Sequence, residues 1–240
     1  MLWLLTCVTT VVLVVIGWLV KDISKVSTVA RPAALSASAR TVSNGTAPGG
    51  THRVSARHSH SPTVPQVTDS VSGLSYQRLR SPWRQGCPSD LNTPMFNWSA
   101  GENAVAGQVS IGGSAIDWHG LACSGPLQQQ FAYASPADLE PTAMSLVSAL
   151  DPAYYGGVQH SRTIEDSSAM QVSGHQAWIV KFEMTYPGGA TQGLTWSSEL
   201  GAVVVVDRGA SQAPAVFYVS VPANLGTRDV TTLIGSLRVS

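Results

Sequence analysis

Two cysteines in the C-terminal two-thirds of the chain are the side chains whose chemistry is easiest to predict. Cys87 and Cys123 are the only cysteines after Cys7. Two cysteines in one exported domain usually pair, so we predict a disulfide between them. Two alternatives remain open: free thiols in a cytoplasmic protein, or a metal pair completed by His119. The absence of a C-x-x-C spacing disfavours the metal site.

Histidines, serines and carboxylates occur together in the same region, which is the residue set of a Ser/His/acid hydrolase. His119 and His160 are the two candidate bases for such a site. The nucleophile signature G-x-S-x-G is missing, because the sequence from Gly112 to Ile116 reads GGSAI and lacks the closing glycine. We therefore predict no catalytic residue and keep an envelope hydrolase as the alternative.

Motifs for common cofactors are also missing from the sequence. There is no G-x-G-x-x-G, no P-loop, no H-E-x-x-H and no EF-hand loop. The pair His58 and His60 lies in a Ser-rich stretch without a third ligand at a suitable spacing. We expect neither a cofactor nor a metal ion.

Composition excludes one class of partner and points to another. The formal net charge is +0, which argues against a nucleic-acid binder. Only 12% of the residues are charged and 44% are hydrophobic, as expected if part of the chain enters a membrane. The run from Leu2 to Val20 contains 19 residues without a charge, and as a helix it spans roughly 28 Å, enough for one crossing.

This N-terminal run is predicted to be an uncleaved membrane anchor. Trp3 and Trp18 lie near its ends, where indole rings favour the membrane interface. A cleaved signal peptide is the alternative, but no basic residue precedes the apolar run and Gly17-Trp18-Leu19 is a poor cleavage signal. The basic residues that follow favour a cytoplasmic C-terminus, whereas the composition downstream favours export. We expect a single-pass plasma-membrane protein with its C-terminal domain outside the cytoplasm.

Residues 21–68 have the composition of a disordered linker. They are rich in Ser, Thr, Ala and Pro, have no aromatic residue, and carry six basic residues and one acidic residue, a net charge of +5. Residues 69–240 carry eight basic and thirteen acidic residues, a net charge of −5. The linker charge would suit contact with a polyanionic wall polymer or anionic lipid, but a solvated tether whose charges only keep it expanded is the preferred interpretation.

Residues 69–240 alternate between strand and helix patterns without a regular β-α repeat, which predicts an α+β domain with an antiparallel sheet flanked by helices. Gly112-Gly113 and the segment 124–126 are predicted turns, and Glu165-Asp166 is placed in a loop. The predicted strands are 104–111, 115–122, 127–133, 157–164, 177–186, 202–207 and 215–221, and the predicted helices are 135–150 and 227–237. The sequence Ser135-Pro136-Ala137-Asp138 predicts the start of the first helix, because it offers an N-cap hydroxyl, a proline at the first helical position and an acid at the third.

Three motifs carry a resemblance to a known group of proteins. They are GLSYQRLRSPW from Gly73 to Trp83, GHQAW from Gly174 to Trp178, and LIGSLRV from Leu233 to Val239. With the Val221-Pro222 strand end, this order resembles actinobacterial membrane-anchored exported proteins of unknown function, and the head is similar to the PsbP-like α/β/α sandwich group. The resemblance implies a fold and an exported location, and it implies no site residue.

Together these features predict a membrane-anchored, extracytoplasmic, non-catalytic binding protein of the cell envelope. Its expected partners are the membrane, through the single span, and either an envelope protein or a wall polymer.

Overall fold

The computed structural model describes residues 64–240. The predicted membrane helix at 2–20 and most of the predicted linker lie outside the described residues. Within the described part, no helix combines the length and apolar composition that a membrane crossing needs. The chain already forms a strand at Gln66–Asp69, so the last residues of the predicted 21–68 linker belong to the folded domain.

The described part contains ten strands and two α-helices, which define the labels used below. The strands are β1 Gln66–Asp69, β2 Leu74–Gln77, β3 Arg84–Gln85, β4 Ala100–Ile111, β5 Ser114–Pro126, β6 Ser161–Val172, β7 His175–Thr185, β8 Ser198–Val206, β9 Ala215–Pro222 and β10 Arg238–Val239. The helices are α1 Leu139–Leu150 and α2 Arg228–Ser236. Helix α1 continues into a π-helical turn at Asp151–Tyr155.

The strands form two antiparallel sheets. The large sheet has seven strands in the order β3-β4-β5-β9-β8-β7-β6, and the small sheet has three in the order β1-β2-β10. Most neighbours in the large sheet are also consecutive in the chain, as in hairpins: β3-β4, β4-β5, β6-β7, β7-β8 and β8-β9. The α+β class with an antiparallel sheet is confirmed.

Each face of the large sheet packs on its own hydrophobic core. One core joins Val203 of β8 to Leu146 of α1. The other joins Val204 of β8 to Tyr76 of β2 and Leu233 of α2. Because neighbouring residues of β8 enter opposite cores, the strand reads as the continuous apolar run AVVVV rather than an alternating one.

The start of α1 follows the predicted capping pattern. Pro136 opens a short 3₁₀ turn before the helix, and the Asp138 carboxylate accepts hydrogen bonds from the backbone N–H groups of Ala134 and Ser135 at 2.8 and 2.9 Å. These contacts satisfy donors that helix entry leaves without partners. The start of the helix is therefore encoded locally.

Three local predictions are wrong. The segment 124–126 is not a turn but the end of β5, and Gly125 is needed there because a Cβ would collide with the carbonyl oxygen of Asn97. Residues 127–133 form no strand; Leu127 and Phe131 are buried anchors of an irregular segment. Glu165-Asp166 lies inside β6, which extends well past the predicted end at Ile164.

Candidate functional site

A buried carboxyl at the start of β8 is the centre of a connected polar cluster. Glu199 is only 1% exposed, and four side chains donate hydrogen bonds to it. Tyr155 Oη, at 3.0 Å, and Ser220 Oγ donate to Oε1. Trp118 Nε1 at 3.0 Å and Tyr186 Oη at 2.9 Å donate to Oε2. Both carboxylate oxygens are thus fully used as acceptors.

The pairing of β8 with β9 places two hydroxyl-bearing side chains of β9 in this cluster. Ser220 lies opposite Gly201, and Tyr218 lies opposite Val203 on the same face of the sheet. Tyr218 Oη is 2.8 Å from Tyr155 Oη, which is also 3.0 Å from Ser220 Oγ. The hydroxyls therefore form a connected network around the carboxyl.

The π-helical turn after α1 brings Tyr155 to this network. Arg162 of β6 fixes the turn, because its Nη1 donates to both the Val147 carbonyl oxygen and Asp151 Oδ1, each at 2.6 Å. Such π-helical turns are rare and occur frequently at functional sites. The turn brings both Tyr154, whose ring stacks on Tyr218, and Tyr155, whose hydroxyl lies 2.8 Å from that of Tyr218, to β9.

Burial sets the protonation chemistry of the cluster. Desolvation raises the pKa of Glu199, and the four hydrogen bonds oppose this shift without cancelling it. Desolvation together with the Glu199 charge also raises the pKa of Tyr155, Tyr186 and Tyr218. The tyrosines therefore act as neutral donors. The carboxyl could accept a proton from a ligand only if one of its present donors withdrew.

A cleft of ≈ 250 Å³ opens above this network. Glu199 and Tyr218 contribute to its lining, along with residues from three surface segments: 88–91, the tip of the β4-β5 hairpin, and the π-helical turn. Ile111 of the hairpin packs closely on Gly157, where a Cβ would collide with its side chain. The cleft is smaller than the ~300–1,000 Å³ of pockets for drug-sized ligands, so it suits a small molecule or a single side chain.

His119, one of the two candidate bases of the alternative hydrolase, lines this cleft. Its Nδ1 is enclosed and has no hydrogen-bond partner among residues 64–240. His160 uses Nδ1 to donate to the Val158 carbonyl oxygen at 2.8 Å, and its Nε2 is 3.9 Å from Asp151 Oδ1. Within the described residues, no serine hydroxyl or cysteine thiol forms a hydrogen bond with either imidazole.

The predicted disulfide is present between Cys87 and Cys123, whose Cα atoms are 6.1 Å apart. Cys123 lies inside β5 rather than at its end, opposite Gly101 of β4. A Cβ at Gly101 would collide with the Cys87 sulfur, so the glycine leaves the space that the bridge occupies. The bridge excludes both alternatives for these residues, the free thiols and the metal pair with His119.

A second buried carboxylate ties the small sheet to the large one. Asp69 Oδ2 accepts hydrogen bonds from the hydroxyls of Ser72, Ser99 and Ser124 at 2.5, 2.7 and 2.7 Å. Burial alone would raise the pKa of Asp69, but the serine hydrogen bonds outweigh it and lower the pKa. Because β1 and β5 share this group, we interpret it as a structural clamp.

Sequence reasoning missed Glu199 and Tyr155 as site residues. One signal was present: Glu199 is an acidic residue directly before the apolar run of β8, where burial would require hydrogen-bond donors. Nothing in the sequence indicated which residues would supply those donors.

The chain is similar to a known protein in its backbone but not in its sequence. No protein-family model matches the chain, and no curated protein is similar to it in sequence. The backbone is similar to the solution structure of cyanobacterial PsbP (CyanoP) from Synechocystis sp. PCC 6803. The identity is 8% and the TM-score 0.45, over 74% of this chain and 92% of that chain.

Proposed function

We propose that residues 64–240 form a non-catalytic binding head whose ligand site is the cleft above Glu199. The head would be attached to the plasma membrane by the apolar residues 2–20 and extended from it by the basic linker. It would bind a component of the cell envelope, either a small molecule or one group of a protein or wall polymer.

The observation that carries this proposal is a concave site whose lining includes buried side chains already fixed by hydrogen bonds. Trp118, Tyr155 and Tyr218 are each at most 8% exposed, and their polar atoms are already hydrogen-bonded within the protein. A preformed site of this kind loses little conformational entropy when a ligand binds. The carboxyl of Glu199 is held by four donors, which favours a supporting role over a reactive one.

The disulfide supports the exported location. Disulfides persist in oxidising compartments and are rare in the cytosol. A protease-sensitive tag at the C-terminus tests this part of the proposal. We expect external protease to remove the tag from cells whose plasma membrane is intact, and protection of the tag would contradict the assignment.

Site-specific photo-crosslinking tests the binding site. Ile116 lines the cleft and is 44% exposed, and Ile164 on β6 is 38% exposed and does not line it. A photoreactive amino acid replaces one or the other isoleucine in the full chain in cells. We expect a discrete adduct from position 116 and none from position 164. Equal crosslinking at both positions, or none at position 116, would argue against the cleft as the site.

The enclosed, unpartnered Nδ1 of His119 is the one observation that favours the alternative envelope hydrolase. A fluorophosphonate probe, which labels activated serines, distinguishes the two functions. The binding proposal expects no labelling of the full chain. Labelling that is lost in both His119→Gln and a serine variant would establish the hydrolase instead.

A further inference from the structure

Among residues 64–240, the cleft is lined by acidic side chains without lysine or arginine to balance them. Asp90, Asp117 and Glu199 line it, whereas its described lining contains neither lysine nor arginine. Other carboxylates of the domain are neutralised locally: Asp151 pairs with Arg162, and Asp166 pairs with Lys181. In the described part of the chain, neither Asp90 nor Asp117 has a basic side chain within ion-pair distance.

Asp117 keeps acceptor capacity toward the cleft. Its Oδ1 accepts a hydrogen bond from Gln108 Nε2 at 3.0 Å across the β4-β5 hairpin, and this neutral donor leaves the charge of the carboxylate uncompensated. Asp90 lies in the short 3₁₀ turn Ser89–Leu91, a different segment of the lining, and is exposed. Two separate segments of the rim therefore each present a negative charge to the same opening.

Aromatic rings form much of the remaining lining. Trp118, Tyr154, Tyr155 and Tyr218 all contribute to it. Aromatic π-systems attract cations, most strongly indole, and rings combined with carboxylates are the usual environment of bound ammonium groups. Ile116, also in the lining, adds apolar surface for a carbon substituent. The electrostatics would repel an anion of similar size.

We propose that the cleft binds a small organic cation, an ammonium group on a short apolar body. The charge of this ligand is attracted by the carboxylates of Asp90 and Asp117, and its apolar part contacts the aromatic lining. This inference rests on the proposed function, and it goes further by naming the chemical class of the ligand.

A pair of isosteric probes tests the role of charge. Choline and 3,3-dimethyl-1-butanol have nearly the same shape, but only choline is charged. Each is titrated into the full chain in a non-ionic detergent, with calorimetry and tryptophan fluorescence as readouts. We expect saturable choline binding that is about tenfold or more tighter than binding of the alcohol, and weaker at high salt.

Charge-neutralising variants locate the site. Asp90→Asn and Asp117→Asn change exposed residues and should leave the fold intact, and each should weaken choline binding roughly two- to fivefold. Glu140→Gln, an exposed residue in the first turn of α1 that is outside the cleft lining, is the matched control and should have no effect. Unchanged choline affinity in both aspartate variants would overturn the inference.

The outcomes separate this inference from the proposed function. If the alcohol binds at the cleft as tightly as choline, the inference is overturned and the binding function stands. If neither probe binds and position 116 gives no crosslink, both are overturned. If choline fails to bind while position 116 still crosslinks to a cellular component, only the cation inference is lost.

Discussion

Replacing Glu199 tests the account of the buried cluster, because two substitutions remove different properties of the carboxyl. In Glu199→Gln the amide oxygen can accept from Trp118 and Tyr186, and the amide nitrogen can donate to the hydroxyls of Tyr155 and Ser220, which are free to rotate. The variant therefore keeps the shape and the hydrogen bonds but loses the buried charge. In Glu199→Leu the acceptor is lost altogether.

The expected loss in Glu199→Leu follows from which donors can find new partners. Tyr155, Tyr218 and Ser220 already contact one another and can pair among themselves. The indole N–H of Trp118 is a donor only, and Tyr186 loses its acceptor. Two stranded buried donors cost about 1–3 kcal/mol each, partly offset by the added apolar surface. We expect the Tm to fall by at least about 4 °C for a domain of this size.

Glu199→Gln should become more stable relative to the wild type as pH rises. Burial raises the folded-state pKa of Glu199 above the ordinary value of 4.5. The Glu199 carboxyl therefore loses its proton at a lower pH in the unfolded chain than in the folded protein. The wild-type free energy of unfolding therefore falls as pH rises above that value and levels off beyond the folded pKa. The substituted glutamine side chain does not titrate, so the variant gains relative stability over this window. The gain is about 1.4 kcal/mol for each unit by which the pKa is raised.

Urea unfolding of the full chain in a non-ionic detergent, followed by near-ultraviolet circular dichroism at several pH values, measures these differences. Near pH 4 the wild type and Glu199→Gln should have similar free energies of unfolding. The reasoning is refuted if Glu199→Gln is as unstable as Glu199→Leu, or if its difference from the wild type does not change with pH.

Three further changes test other parts of the fold. Reduction of Cys87–Cys123 should cost about 4 kcal/mol and lower the calorimetric Tm by roughly 8–16 °C, because the bridge closes a loop of 36 residues. Asp69→Asn should lose about 1–3 kcal/mol at pH 7 in urea unfolding, since three serines lose a charged acceptor. With its lowered pKa, Asp69 stabilises the fold above about pH 4, so this difference should shrink as pH falls further. Gly101→Ala should cost about 1–3 kcal/mol through its collision with Cys87, whereas Gly235→Ala, with open space in α2, should be neutral or stabilising by the same unfolding assay.

Specific results would contradict each of these expectations. A reduced protein with an unchanged Tm would mean that the bridge adds no constraint to the unfolded chain. An Asp69→Asn deficit that is constant from pH 7 to pH 3 would mean that the carboxylate charge is not what the serines recognise. Equal stability of the two glycine variants would mean that β4 and Cys87 can separate without cost.

The strands and helices that were predicted correctly are those whose signals are local. Alternating residues placed β7, a run of β-branched residues placed β8, and the Ser135-Pro136 cap placed the start of α1. Each signal depends on residues within one element, so the sequence contains all of it.

The wrong local predictions share a physical cause. Gly125 was interpreted as a turn residue, but its lack of a side chain serves a close approach to Asn97. Asp166 was interpreted as a loop residue, but it lies in β6 opposite Lys181, whose Nζ donates to it at 3.1 Å. In both cases a contact with a residue distant in the sequence explains the residue type.

The disulfide could be predicted from the sequence, whereas the candidate site could not. The pairing of Cys87 with Cys123 was predictable from the sequence, because the head contains no other cysteine. The sequence could not determine that Trp118, Tyr155 and Glu199 converge, since they come from a strand, a π-helical turn and another strand. Hydrogen bonds of this kind depend on the register of β5, β8 and β9 and on the packing of α1. Only the tertiary structure fixes those, because each is set by burial of surfaces far apart in the sequence.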